Sequence, residues 1–135
     1  MQNKFVADFT CAFCFVSPSG IASISVCVDT ESKKFSVVKD FCGHGLGKIF
    51  HCPPSVLHFG NKGEGPILKK GMFFTIEPMI NAGDWQIKVL KDGWTAVTKD
   101  KSLSGQFEHS IAITDNGAEI FTLSKNGTEF PINIL

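Results

Sequence analysis

Hydrophobic and polar positions are laid out differently in two parts of the chain. Residues 1–34 carry apolar runs with no sustained helical period and only short alternation, as in "IASISVCV". From Phe35 onward strand-like patterns take over. "FSVVKDF" (35–41) is a short strand candidate. Further candidates follow at 72–80, 84–90, 94–98, 106–114 and 118–123. "DNG" at 115–117 predicts a hairpin turn between the last two, and "KDG" at 91–93 predicts a turn before Trp94. The intervening "CGHGLGKIFHCPPSVLHFGNKGEGPILKKG" is rich in Gly and Pro and reads mostly as loop and turn. There is no internal repeat and no long amphipathic helix. The pattern predicts a β-rich, mainly antiparallel segment.

Two strand candidates contain an oddly placed carboxylate. In "MFFTIEPMI" (72–80), Phe73, Thr75, Glu77 and Met79 share one face of a period-2 strand, and that face is mostly apolar. An ionised carboxylate there needs a partner or a metal, unless the strand end reaches water. In "QFEHSIAIT" (106–114), Glu108 shares a face with Gln106, Ser110 and Ala112, which suits a wet face equally well. His44 lies in "CGHGLGK". Flanking glycines allow tight, left-handed backbone and leave the imidazole unobstructed, although a loop histidine is also an ordinary structural or exposed residue. His44, His51 and His58 recur every seven residues, but the glycines and Pro53–Pro54 exclude a helix. The glycines form neither G-x-G-x-x-G nor a P-loop, since Ile49 follows Gly47–Lys48.

Composition narrows the classes. The chain has 135 residues, 43% hydrophobic and 19% charged, which is enough for one domain with a real core. Thirteen lysines balance thirteen acidic residues, arginine and tyrosine are absent, and Phe occurs thirteen times. With no basic surplus and no guanidinium clamp, nucleic acid is not an expected partner. No apolar stretch approaches the ~20 residues of a membrane span. Lys4 is the only early positive charge and Asp8 interrupts the apolar region, so residues 1–34 do not read as a signal peptide. Five cysteines, at 11, 14, 27, 42 and 52, form no disulfide framework and fit a reducing, cytoplasmic setting. Cys11-x-x-Cys14 has zinc-knuckle spacing without a second Cys/His pair, so two small apolar residues are the simpler reading.

One His and two Glu on separate elements suit a divalent-metal site that activates water. The order of motifs carries a resemblance. "FSVVKDFCGHGLGKIFH", "GMFFTIEPMINAG" and "KDGWTAVTKDKSLSGQFEHSIAITDNGAEIFTL" closely resemble the C-terminal half of type 1 methionine aminopeptidases, over about residues 35–123. The resemblance implies an α+β fold: one half of a pita-bread fold, mainly antiparallel sheet, without its N-terminal half. Residues 35–135 would form the C-terminal part of the catalytic domain, and residues 1–34 stay unassigned. It implies removal of the initial methionine from peptides or nascent chains whose second residue is small. It implies two divalent metal ions, Co, Mn, Fe or Zn. His44, Glu77 and Glu108 would be ligands, with Glu77 also a proton shuttle and Glu108 a bridge. His51 would hydrogen-bond the substrate, and Phe50 and Trp94 would line the methionine pocket. Two further aspartate ligands have no counterpart: Asp29 and Asp40 abut the GHG motif, and Asp8 lacks a partner. The segment alone is therefore expected to be inactive, with uncovered apolar residues that favour self-association. A non-catalytic peptide- or protein-binding relative, or a non-functional truncated product, is the alternative.

Overall fold

The computed structural model describes residues 35–60 and 65–123, together with the backbone of three short strands upstream. Those three are β1 (Cys11–Phe13), β2 (Ala22–Ser23) and β3 (Val26–Val28). After them come β4 (Ser36–Val37), β5 (Gly43–Gly45), β6 (Cys52–Val56), β7 (Ile67–Leu68) and β8 (Phe73–Ile76). The rest are β9 (Met79–Asn81), β10 (Ile87–Val89), β11 (Ala96–Thr98), β12 (Ser104–Gln106), β13 (His109–Thr114) and β14 (Gly117–Ile120). The Cys11–Cys14 pair and the rest of the expectations on residues 1–34 lie outside the described side chains.

Both turn signals are realised. β13 and β14 pair antiparallel with Thr114 opposite Gly117, leaving Asp115–Asn116 as a two-residue loop. Gly117 takes φ 114°, a backbone angle that favours glycine. β10 and β11 form the second hairpin, Val89 opposite Ala96. There Gly93 has φ 68°, and the Asp92 carboxylate accepts from the Trp94 and Thr95 amides and the Thr95 hydroxyl.

Five strands in the order β14-β13-β8-β5-β6 make the main sheet, and β12-β9-β4 make a second. Every described pairing is antiparallel, and every described element is a strand. The expected sheet is present, whereas the helical part of an α+β fold is not found among the described residues. Phe74 and Ile76 of β8, Ile111 of β13, Val56 of β6 and Leu68 of β7 pack as one buried cluster. Phe74 lies directly opposite Ile111 in the ladder, so the core is fixed by a cross-strand apolar pair.

Two expectations are corrected. The stretch expected to be loop contains strands β5 and β6, and the GHG motif is itself the strand between β8 and β6. Gly43 and Gly45 serve close approach and not left-handed backbone. A Cβ on Gly43 would strike the Thr75 carbonyl and stand 3.1 Å from Val56 Cβ, and one on Gly45 would strike the Pro53 carbonyl. The strands expected over 72–80 and 106–114 are each broken in two, at Glu77–Pro78 and at Phe107–Glu108. Proline has no N–H for a ladder, so Pro78 ends the first pairing. The chain then crosses from the main sheet into the second.

Candidate metal centre

The two breaks face one another. β8 pairs with β13 with Ile76 opposite His109, and β9 pairs with β12 with Met79 opposite Gln106. Two residues intervene on each side, so the register is kept across the gap, and one step beyond Ile76 and His109 sets Glu77 opposite Glu108. Residues opposite in an antiparallel pair lie on one face, with Cβ atoms about 4.5–5.5 Å apart in a regular ladder. Like charges so placed repel unless something neutralises them.

His44 approaches the same point from β5. Its Nε2 stands 3.5 Å from Glu77 Oε1, and both side chains are largely buried. Its Nδ1 is 3.1 Å from the Gly45 carbonyl oxygen. A carbonyl only accepts, so the proton sits on Nδ1, and in the neutral ring Nε2 presents a lone pair. A histidine that gives one N–H to a carbonyl and turns its other nitrogen outward is arranged as metal-binding histidines are.

Thr75 ties the two together. Its hydroxyl accepts from the His44 amide at 2.9 Å and donates to Glu77 Oε1 at 2.6 Å. Thr75 is fully buried. His58 holds the backbone at the break, its Nε2 accepting the Glu77 amide at 3.0 Å. Burial pushes its pKa from 6.5 down to about 4, so the ring stays neutral. Glu77 Oε2 has only a long contact, 3.4 Å, from Gln106 Nε2.

His51 has φ 59°, a left-handed conformation that carries strain in a non-glycine residue. That turn sets its ring edge-on to His44, with centroids 4.3 Å apart. Phe50 lies 4.0 Å from His51 and 5.1 Å from His44, again by ring centroids. His44, His51, Phe50 and Glu77 are therefore together. Two expected members stand apart. Glu108, although opposite Glu77 in register, is exposed and makes no hydrogen bond or ion pair. Among the described residues no three His, Cys, Asp or Glu side chains converge as a ligand set; repulsion from Glu77 gives a physical reason for the Glu108 carboxylate to stay in water. Trp94 is 86% exposed at the β10–β11 hairpin, and no contact joins it to His44. Thr75 and His58 had no distinguishing signal in the sequence, because their partners are distant in the chain.

His44 and Glu77 alone have the spacing of two donors to one divalent ion. Two atoms bound to one tetrahedral ion at about 2.0–2.2 Å stand roughly 3.4 Å apart, close to the His44–Glu77 spacing of 3.5 Å.

The model of metallopeptidase family M24 matches residues 16–115, and the chain belongs to that family. Over 113 residues it is 53% identical to methionine aminopeptidase A of Synechocystis, a match covering 82% of this chain and 45% of the relative. Against the methionine aminopeptidase of Escherichia coli K12 it is 56% identical over 98 residues, 73% of this chain and 37% of the relative. Among solved structures, the methionine aminopeptidase of Rickettsia prowazekii superposes with TM-score 0.67 at 57% identity, covering 70% of this chain and 38% of that one. The Thermotoga maritima enzyme gives 0.66 at 49% identity over the same shares. The chain thus spans less than half the length of the relatives it matches.

Proposed function

We propose that this chain carries the metal-binding and substrate-facing part of a methionine aminopeptidase, with His44, Glu77 and Glu108 as its ligands. The observation that supports this best is the pairing of a His44 nitrogen lone pair with a Glu77 oxygen at 3.5 Å, beside a second carboxylate in register. Two acceptor groups that meet, with a second carboxylate opposite in register, are the start of a cation site. When bound, divalent metal supplies Lewis acidity to a peptide carbonyl and acidifies water. The protein's own residues then have separate tasks. Glu77 keeps Oε2 nearly free and can take and return a proton there. His51, at the rim beside His44, donates to the peptide. Phe50, 71% exposed, offers an apolar wall for the methionine side chain. The substrate is a peptide or nascent chain that begins with methionine followed by a small residue.

A second reading is a plain imidazolium–carboxylate ion pair between His44 and Glu77. Calorimetry with Mn(II) or Co(II) separates the two. The metal reading expects one weak site per chain, lost in Glu108→Ala, because one nitrogen and two carboxylates can hold one ion but not two. Release of methionine from a Met-Ala-Ser peptide should be negligible, since two aspartate ligands implied by the resemblance have no counterpart among these residues. No uptake of either ion would favour the ion pair. Two tight sites with turnover would show that further ligands lie elsewhere in the chain.

A further inference from the structure

The hydroxyl of Thr75 occupies an unusual place: it is fully buried, and both of its partners belong to the candidate ligands. We infer that Thr75 is a positioning residue that locks His44 and Glu77 into one metal-binding geometry. The inference rests on the metal reading above. A backbone amide can only donate, so Oγ1 must accept from His44 N, and its single proton is left for Glu77 Oε1. The two bonds, 2.9 and 2.6 Å, are therefore fixed in direction and act in series. The first pins β5 to β8 at the residue that carries the imidazole. The second selects one carboxylate rotamer and leaves Oε1 facing His44 Nε2. Without the hydroxyl, Glu77 can swing toward water, and a buried amide loses its acceptor. Outer-shell partners of this kind typically govern metal affinity by 10–100-fold.

The test is Mn(II) calorimetry on the full 135-residue chain. Thr75→Val keeps the shape and removes the hydroxyl; its Kd should rise 10–100-fold. Thr75→Ser keeps the hydroxyl and should hold Kd within about threefold of wild type. Ile111→Val, a core change at a residue that makes none of the candidate ligands' side-chain hydrogen bonds, controls for lost stability and should leave Kd unchanged. Equal binding by wild type and Thr75→Val would overturn the positioning role and leave the metal site intact. A tenfold loss in Thr75→Ser, or in Ile111→Val, would also overturn it, since stability alone would then explain the effect. Absence of binding in wild type would overturn the metal reading and the inference with it.

Discussion

Lowering the pH from 7 to 5 should cost the folded chain about 2 kcal/mol through His58 alone. His58 is 2% exposed, and its neutral Nε2 accepts the Glu77 amide. Burial holds its pKa at about 4 against 6.5 in water. As pH falls through 6.5 the unfolded chain takes up a proton that the folded chain refuses until about pH 4. The unfolded state then binds more protons, so stability is full above 6.5 and declines toward 4. A gap of roughly 2.5 units, at 1.36 kcal/mol each, sets a ceiling near 3 kcal/mol. Asp92 and Asp100 titrate lower. Thr95 and nearby amides lower the first, and the Ser102 and Asp84 amides hold the second at about 2, so neither contributes in this window. Urea unfolding at pH 7 and pH 5 reads the effect. In His58→Gln, which has no proton to gain, the decline should be about 2 kcal/mol smaller. An imidazole resonance of His58 titrating near 6.5 in the folded chain, or an equal decline in the variant, would refute the reasoning.

Gly43→Ala should remove about 3 kcal/mol or more by urea unfolding, since its Cβ meets the Thr75 carbonyl. Gly105→Ala, with nothing within 4 Å, should stay within about 0.5 kcal/mol. Without metal, Glu108→Gln should stabilise the chain by about 0.2–1 kcal/mol by relieving repulsion from Glu77; saturating Mn(II) should reverse the sign, and a gain that persists with Mn(II) would count against a shared ion. Phe50, Trp94 and Leu103 are 71%, 86% and 70% exposed, so sizing chromatography should show species larger than a 14.7 kDa monomer.

What could be read in advance was local. Asp115–Gly117 and Lys91–Gly93 announce their turns through residues adjacent in sequence, and the structure places both hairpins there. The alternation over 72–80 correctly set Thr75 and Glu77 on one face, as the Thr75–Glu77 hydrogen bond confirms. What escaped was long-range. The apolar pattern runs through Glu77–Pro78 without pause, and only the proline hinted that the strand would change sheets. The glycines of GHG looked like turn residues because their true constraint, the Thr75 and Pro53 carbonyls pressed against them, lies on neighbouring strands. His58 in "VLHF" cannot be told from an exposed histidine until Glu77, nineteen residues later, brings its amide to the ring. Motif order singled out His44, His51 and Phe50, whose rings lie side by side, and also Trp94, which is 86% exposed on the β10–β11 hairpin.

The position of the two breaks links fold to chemistry. A regular antiparallel ladder between 72–80 and 106–114 would set Glu77 and Glu108 opposite one another within an unbroken sheet, at a repulsive cost with no return. Interrupting both strands at that step opens the sheet where the carboxylates sit and lets β5 bring His44 to the gap. The opening needs β5 to pack very close to β8 at Gly43 and to β6 at Gly45, which only glycine permits. It also needs Glu77 to be held from two sides once its ladder bonds are gone. His58 does this at the backbone and Thr75 at the side chain. The glycines, the buried histidine and the buried threonine thus answer one requirement: keeping His44 and Glu77, an otherwise unfavourable pairing at a strand break, in place. That is the pattern expected where local stability is surrendered at a functional site.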